Sequence, residues 1–363
     1  MDTLTHALSG ALLVQALYFQ QTQPASPKPE ARPLPYWLWV LSGFLAGAFP
    51  DADAVSSLFG TLAYLTHHRG LTHSIFMIPL WAGLVALILS GLSLQRYRWQ
   101  QFYLACFLAI SIHIAGDVIT AYGTMIFAPF SNIKVSWPVT FIIDLYFSGI
   151  ILFSLLACAL VKRHRQKIAL AGMLILVSYV AAGGLLRQQA LNIAQQYASS
   201  NNIDIKQHPI AAIAQPLSPF NWKLMILQQD IYHIAYVDLL HEPSENLNRQ
   251  NTTDSFLEKV SRLYQPVKEL EWQRYPQFGN QKEDSQEIQN IWQSEVLFDI
   301  RQFMMFPVLS RVVKNEQGYC AWFADQRFIL GDIRTPFQFG ACHHIDRSWD
   351  LVGLKDNRMI KIK

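Results

Sequence analysis

Histidine and aspartate side chains recur near the ends of apolar segments in the first half of the chain. The set comprises His6, Asp51, Asp53, His68, His73, His113 and Asp117. Imidazole nitrogen and carboxylate oxygen, without thiolate, form a ligand set that suits zinc, manganese or iron. His113 and Asp117 are four residues apart, which places both side chains on one face of a helix. The spacing predicts a site for one divalent metal ion or two adjacent ions, and two-metal sites commonly hydrolyse phosphoesters.

Each of these residues also has a purely structural interpretation. A lone transmembrane histidine such as His6 can hydrogen-bond to a backbone carbonyl, and Asp51 and Asp53 could cap a helix. His113 with Asp117 could be a buried hydrogen-bonded pair or part of a proton path. We favour metal binding for the cluster because ionisable groups inside a membrane are costly and usually mark a functional site.

Apolar segments must position this cluster. The chain has 363 residues, of which 51% are hydrophobic and only 15% charged, against about 25% charged in soluble domains. We predict six membrane spans at residues 4–19, 36–49, 71–94, 101–127, 139–161 and 168–186. The first two are short and could be tilted or partly re-entrant, and buried helices of a soluble core are the alternative for all six. The net charge of +3 and the lack of a basic stripe argue against nucleic-acid binding.

Basic residues orient these predicted spans. With the N-terminus outside, the inward segments carry eight of them: Lys28, Arg32, Arg96, Arg98, Lys162, Arg163, Arg165 and Lys167. The outward loops carry only Arg69 and Lys134. This bias places the C-terminal half outside the cytoplasm, and it brings all the His and Asp residues to the outer face. We therefore predict a mostly α, polytopic transmembrane helical bundle over residues 1–190, followed by a small extracytoplasmic α+β domain over residues 191–363.

Four stretches of the first half resemble a known family when taken in order. They are MDTLTH at residues 1–6, PDAD at 50–53, HRGLTHS at 68–74 and HIAGD at 113–117, with weaker matches at 122–124, 129–131 and 141–144. Over residues 1–190 they are similar to the predicted membrane-bound metal-dependent hydrolases (YdjM/YbcI-like) of the bacterial inner membrane. Leu145 departs from the pattern, since a proline is expected after Asp144.

That resemblance implies a hydrolase with a bound divalent metal, zinc or manganese, with one or two ions per chain. It implies as ligands His6, Asp51, His68, His73, His113 and Asp117, with Asp53 and Asp144 in support. It also implies that Arg69 steadies an anionic substrate, because a guanidinium can pair with phosphate through two hydrogen bonds.

The second half predicts a mainly antiparallel sheet with helices. Strands are expected at 223–230 and 231–238 as a hairpin, and at 319–325, 327–332 and near 349–361. Helices are expected at 191–206, 253–271 and 285–307. The resemblance to the family also takes in the stretch 322–328, which implies that this stretch packs against or covers the site. His343 and His344 are more often incidental than ligands in such a loop.

The four cysteines divide between the halves. Cys106 and Cys158 fall inside predicted spans and are expected to be packed as small apolar residues. Cys320 and Cys342 lie in the predicted outer domain, where they could form a disulfide or stay free.

Three functions remain open from the sequence. The first is a metal-dependent hydrolase acting on a phosphoester or lipid-linked substrate at the outer leaflet, with Asp53 as general base. The second is a transporter of a metal ion or protons, and the third is a scaffold with a structural metal. A conduit needs polar groups across the whole bilayer, and the inner halves of the spans have almost none, so the pattern favours the hydrolase. The sequence predicts the lipid bilayer as a partner and leaves the oligomeric state open.

Overall fold

The computed structural model describes residues 1–18, 33–241, 256–279, 282–315, 318–331, 337–344, 348–355 and 358–362. Most of the proline-rich stretch 24–35, with Lys28 and Arg32, lies outside the described residues. Contacts divide the chain into two units. The first comprises residues 1–54 and 67–184, and the second comprises residues 55–66 and 185–363.

The described residues up to Ser200 are mainly helical. The α-helices are α1 (Thr3–Ala16), α2 (Tyr36–Ala48), α3 (Thr61–His67), α4 (Ile78–Leu92), α5 (Trp99–Val118), α6 (Leu145–Leu160) and α7 (Arg165–Ser200). Short 3-10 helices occupy Phe49–Phe59, Leu71–His73 and Lys162–His164. The predicted span at 71–94 is wrong as one continuous helix, because the chain turns through extended backbone at Ser74 before α4 begins. The predicted helices at 168–186 and 191–206 instead belong largely to the single helix α7.

Two helical segments among the described residues are long and apolar enough to cross a membrane. They are Trp99–Val118 and Lys162–Ser200, and a third span results if the bent pair Thr61–His73 and Ile78–Leu92 is counted as one. Helices α1 and α2 have 14 and 13 residues, or about 20 Å each at 1.5 Å per residue. The hydrocarbon core is about 30 Å thick, so α1 and α2 are each too short to cross it as straight helices. The structure thus shows two or three candidate spans, and a count of six stays a prediction.

Helices α1 and α2 approach each other through glycine. A Cβ added to Gly10 would collide with the Gly43 carbonyl oxygen, and one added to Gly47 would lie 2.7 Å from the His6 carbonyl oxygen. Small residues allow such close backbone packing, which stabilises helix pairs where the surrounding lipid is itself apolar. Trp39 closes the contact by donating from Nε1 to the Val14 carbonyl oxygen at 2.6 Å. Together these contacts hold α1 and α2 side by side, with the start of α1 against the end of α2 and the end of α1 against the start of α2.

The second unit contains two five-stranded sheets. The first has the order β1-β2-β3-β4 with β5 also pairing β3, and the second has the order β10-β9-β8-β7-β6. The strands are β1 (Ile210–Ala214), β2 (Asn221–Gln228), β3 (Ile231–Asp238), β4 (Gln265–Pro266), β5 (Gln273–Pro276), β6 (Pro307–Asn315), β7 (Gly318–Asp325), β8 (Gln338–His344), β9 (Trp349–Lys355) and β10 (Arg358–Lys361). Only the β3–β4 pair is parallel among these pairings, so the predicted mainly antiparallel character is confirmed.

Several predicted elements of the second unit need correction. The hairpin is confirmed, since β2 and β3 pair directly across Gln229, which has φ 52°. The strand predicted at 327–332 is wrong where it is described, because Gln326–Phe328 forms a 3-10 helix capped by the Asp325 side chain. Within the described residues 256–271, the predicted helix at 253–271 is limited to α8 (Phe256–Ser261). The predicted helix at 285–307 divides into α9 (Lys282–Gln293) and α10 (Phe298–Phe303).

A disulfide joins Cys320 on β7 to Cys342 on β8. The two residues face each other directly in the antiparallel register, with Cα atoms 4.0 Å apart. Cys106 and Cys158 are free and buried, as the sequence predicts.

Asp325 is the centre of a buried polar group in the second unit. Its carboxylate accepts from Nε and Nη2 of Arg327 at 3.0 and 2.8 Å and from the Met305 backbone at 2.7 Å. Nearby, the fully buried Lys223 ammonium donates to both oxygens of Gln326 and to the Ile329 carbonyl. Burial lowers the pKa of Lys223 to about 7. Asp325, Gln326 and Arg327 belong to the stretch 322–328, so the contacts of this stretch described here lie within its own unit.

Candidate metal centre

Four side chains of the first unit meet at one point. His113 and Asp117 come from α5, Asp51 from the 3-10 helix that follows α2, and His73 from the short turn Leu71–His73. Each offers one ligand atom, and these four atoms all lie within 4.8 Å of one another. The side chains of His73, His113 and Asp117 are fully buried, and that of Asp51 is 9% exposed. This cluster could hold a metal ion.

The distances within the cluster fit a small coordination sphere. Nε2 of His113 lies 3.0 Å from Nε2 of His73, and Oδ2 of Asp117 lies 3.0 Å from Nε2 of His73 and 3.5 Å from Nε2 of His113. Oδ1 of Asp51 lies 3.5 Å from His113 Nε2 and 3.7 Å from His73 Nε2. Ligands in a tetrahedron with bonds of about 2.1 Å lie about 3.4 Å apart. The observed separations scatter around that value.

Hydrogen bonds determine which ring nitrogen of each histidine carries the proton and which one directs a lone pair at the centre of the cluster. Nδ1 of His113 lies 2.6 Å from the Gly47 carbonyl oxygen, which can only accept, so Nδ1 carries the proton. Nδ1 of His73 lies 2.9 Å from Thr72 Oγ1 and 3.4 Å from Asp53 Oδ2. The Thr72 hydroxyl already donates to Asp53, so it accepts from His73. The Nε2 lone pairs of His73 and His113 therefore converge with two carboxylates, and such a donor set calls for a cation.

Asp53 holds the second layer of the site. Its Oδ1 accepts from His68 Nδ1 at 2.7 Å, and its Oδ2 accepts from the Thr72 hydroxyl at 2.7 Å and the Arg69 backbone at 3.0 Å. Burial raises the pKa of this carboxyl, but hydrogen bonds from His68 and His73 lower it by more, and the net pKa lies below its ordinary value. A carboxylate that orients a metal-binding imidazole in this way is a common outer partner of metal sites.

Asp117 is held through its other oxygen. Oδ1 lies 2.8 Å from Nη2 of Arg69, 2.9 Å from Nε2 of His6 and 2.7 Å from the Met1 nitrogen. Oδ2, in contrast, has no hydrogen-bond partner among the described residues. The three contacts on Oδ1 fix the carboxylate so that Oδ2 points into the cluster.

This helical part of the chain can be compared with known proteins. Residues 1–190, which carry every member of the cluster, match the model of the YdjM inner membrane protein family. The chain belongs to that family. A protein of Bacillus subtilis (strain 168) described as "Uncharacterized protein YfhP" is 31% identical over 133 residues, which are 36% of this chain and 38% of that relative. The match thus spans well under half of the relative's length. No solved structure matches the chain.

Membership of the YdjM family places the chain among inner membrane proteins. The multi-pass arrangement and the extracytoplasmic position of the second unit stay predictions. The cluster supports a bound metal, while the choice of zinc or manganese and the number of ions stay predictions.

The structure places the residues predicted for the YdjM-type site in two layers. Asp51, His73, His113 and Asp117 form the inner cluster. His6 lies outside it, bonded to Asp117 and stacked on His113 with ring centroids 3.7 Å apart. His68 lies against Asp53. The ligand roles of His6 and His68 and the base role of Asp53 are untested predictions.

Arg69 and Asp144 have definite local partners. Arg69 adopts φ 60°, is 3% exposed, and donates from Nη1 to Thr120 Oγ1 at 3.2 Å in addition to its contact with Asp117. Its guanidinium also lies 4.6 Å from the centre of the Tyr122 ring. Asp144 caps α6 at Phe147 and accepts from the Tyr179 hydroxyl at 2.8 Å, so it lies outside the inner cluster.

Three contributors escape a search for ionisable residues in this YdjM-family chain. They are the Gly47 carbonyl, the Thr72 hydroxyl and the Thr120 hydroxyl. Thr72 adjoins His73 in sequence, which is a usable signal, because hydroxyls next to a ligand often orient it. A backbone carbonyl such as that of Gly47 leaves no mark in composition or spacing.

Replacing Asp53 tests the second layer of the site. Asp53→Ala removes the carboxylate that accepts from the Thr72 hydroxyl and so keeps that hydroxyl turned to accept from His73 Nδ1. We expect metal affinity to fall about 10–100-fold. Competition with a fluorescent chelator measures this affinity. Asp2→Ala, which removes only the cap of α1, is the control, and an equal loss in both variants would contradict the orienting role.

Gly47 offers a second test, directed at the backbone. Gly47→Ala places a methyl group 2.7 Å from the His6 carbonyl oxygen, so α1 and α2 must separate and the Gly47 carbonyl must move away from His113. We expect loss of metal binding and a melting temperature lower by several degrees, since overpacking costs about 1–3 kcal/mol. Gly149→Ala in α6 is the matched control, because its Cβ would meet nothing within 4 Å. Normal metal binding by Gly47→Ala would refute the proposed coupling.

Proposed function

We propose that this chain is a membrane-embedded, metal-dependent hydrolase acting at the outer face of the cytoplasmic membrane on a phosphoester or another lipid-linked bond. One observation carries the proposal: two buried imidazoles, each with Nδ1 committed to an acceptor, direct Nε2 at two carboxylates. Asp51 is the least buried of the four ligands, so its side of the cluster is where a water or a substrate group would reach a bound ion. The side chain of Asp51 is 9% exposed while the other three are buried.

The side of the cluster at Asp51 is its least buried part, and we expect a substrate to arrive there. Oδ1 of Asp51 faces the two Nε2 atoms, and Oδ2 has no hydrogen-bond partner among the described residues. In the proposed mechanism a water that reaches this buried oxygen gives it a proton while the water oxygen bonds to phosphorus. The bond from phosphorus to the alkoxide breaks, and the proton passes from Oδ2 to the departing alkoxide. A divalent cation in the cluster supplies Lewis-acid polarisation of the scissile group and lowers the pKa of a water.

The remaining residues hold the cluster in place. In the proposed site Nε2 of His73 and of His113 carries no proton. The Gly47 carbonyl keeps the proton of His113 on Nδ1, and Thr72, which donates to Asp53, keeps the proton of His73 on Nδ1. Arg69 balances the charge of Asp117 from the far side. Asp117 is buried and its Oδ2 has no hydrogen-bond partner among the described residues, so this oxygen is available to a cation.

A direct assay tests the hydrolase proposal. Wild-type protein loaded with Zn²⁺ or Mn²⁺ is expected to release phosphate from a short-chain phosphatidic acid or lipid diphosphate panel, and Asp51→Asn is expected to lower kcat by at least about 100-fold. His67→Ala, which alters an exposed neighbour of the cluster, serves as the control. Flux of Zn²⁺ or protons through proteoliposomes, without turnover of any substrate in the panel, would overturn the hydrolase in favour of a transporter.

The orientation across the membrane is part of the same proposal. Basic residues support an outward second unit, and the Cys320–Cys342 disulfide supports it as well, because disulfides persist outside the cytoplasm. Alkaline phosphatase fused after Lys363 is expected to be active in cells, and the same enzyme fused after Gln95 to be inactive. The reverse pattern would place the second unit in the cytoplasm.

A further inference from the structure

An apolar groove lies at the end of the helical unit that is remote from the metal cluster. It has a volume of about 440 Å³ and is lined by the start of α2, the end of α4 and the start of α5, including Trp37, Leu41, Leu92 and Phe102. Phe102 and Asp117 are fifteen residues apart on α5, or about 22 Å along the helix axis. The groove is therefore separate from the candidate active site.

The interior of this groove is suited to an apolar occupant. Its walls are mainly leucine and aromatic side chains, and the Ser42 hydroxyl in its wall already donates to the Leu38 carbonyl oxygen at 2.6 Å. The volume lies in the usual range of ligand pockets, about 300–1,000 Å³. Exposed apolar side chains line it, with Leu41 38% and Leu92 74% exposed. A recess of this kind in a membrane protein is suited to a single hydrocarbon chain.

The mouth of the groove is positively charged. Arg96 lines it, and Arg98 follows two residues later, both of them exposed. No Asp or Glu occurs between Asp53 and Asp117, the stretch that contains α4, α5 and the two arginines. A phosphate group pairs well with guanidinium, and basic residues next to the membrane attract anionic lipids.

We propose that this groove binds one anionic phospholipid, with an acyl chain between α2 and α4 and the phosphate against Arg96 and Arg98. The hydrocarbon walls and the cationic mouth are adjacent, as the two ends of a phospholipid are. The inference does not depend on the hydrolase proposal, because the two sites share no side chain.

Native mass spectrometry of the full chain in detergent tests the lipid site. Titration with phosphatidylglycerol is expected to give one saturable adduct, and phosphatidylcholine with the same acyl chains to bind about fivefold more weakly. Arg96→Gln is expected to weaken the phosphatidylglycerol adduct about fivefold, and Leu41→Trp to remove it by filling the groove. Leu45→Phe provides a smaller filling change if Leu41→Trp does not give monodisperse protein.

Matched controls separate this site from general membrane affinity. Arg163→Gln removes an exposed cation of the 3-10 helix Lys162–His164, and Leu156→Trp enlarges an exposed apolar side chain of α6. Neither Arg163 nor Leu156 lines the groove. Both variants are expected to bind phosphatidylglycerol as the wild type does. Equal binding of the two lipids, an equal loss with Arg163→Gln, or full binding by both filling variants would overturn the proposal.

Discussion

His113→Ala is expected to leave the purified protein without its metal ion. The change removes one of two imidazole ligands from the cluster, and it also removes the ring that stacks on His6 and donates to the Gly47 carbonyl. Loss of an outer partner alone costs about 10–100-fold in metal affinity, and loss of a ligand costs more. Elemental analysis after equilibration with Zn²⁺ or Mn²⁺ is expected to fall from about one ion per chain to less than a tenth, as for a four-ligand site that has lost a member.

Two variants guard this prediction against a trivial explanation. His67→Ala alters an exposed histidine of the same sequence stretch and is expected to keep its metal. His113→Gln keeps a polar side chain in the buried position, which tells loss of a ligand from loss of packing. A full complement of metal in both His113 variants would refute the assignment of this cluster.

Asp325→Ala is expected to destabilise the second unit more than any surface change there. The carboxylate is fully buried and compensates Arg327, whose own side chain is 1% exposed. Removing it leaves a buried guanidinium uncompensated, which typically costs about 3–5 kcal/mol. Three backbone N–H groups, those of Met305, Phe306 and Arg327, lose their acceptor as well.

Thermal unfolding of the full chain in detergent measures this effect. Tryptophan fluorescence follows unfolding, and the buried Trp222 and Trp322 contribute to it from the second unit. We expect the melting temperature of the transition that belongs to the second unit to fall by about 10 °C. Asp325→Asn keeps an acceptor oxygen and should fall less. Glu269→Ala, at an exposed position, should stay within about 0.5 kcal/mol of the wild type. A similar melting temperature for Asp325→Ala would show that Arg327 finds other acceptors.

The sequence predicted the meeting of the His and Asp residues but not their ranking. His113 and Asp117 share a helix face by spacing alone, and the ends of neighbouring apolar segments must lie close together. Which histidines face the centre depends on tertiary hydrogen bonds, such as that from His113 to the Gly47 carbonyl. His6 and His68 are the same residue type as His73 and His113, and they too lie at the ends of apolar segments. Only the fold shows that His6 and His68 belong to the outer layer.

Element boundaries were predicted less well, for physical reasons that differ by region. Hydropathy does not register the break between His73 and Ile78, since apolar residues continue through it. The 3-10 helix at Gln326–Phe328 depends on a local cap by Asp325, which outweighs the strand propensity of the following residues. The β2–β3 hairpin was predicted correctly because its alternation and its register are both local.

The burial of the cluster has a consequence for how it acquires its ion. Three of its four side chains are sealed, and the fourth is only 9% exposed. A cation held there would exchange only when the segment carrying Asp51 opens, so stripping by a chelator should be slow and strongly temperature-dependent. Occupancy would then record which ion was abundant when the chain folded, rather than the equilibrium order of affinities among divalent metals. The ion that this protein carries would then depend on when and where the chain folds.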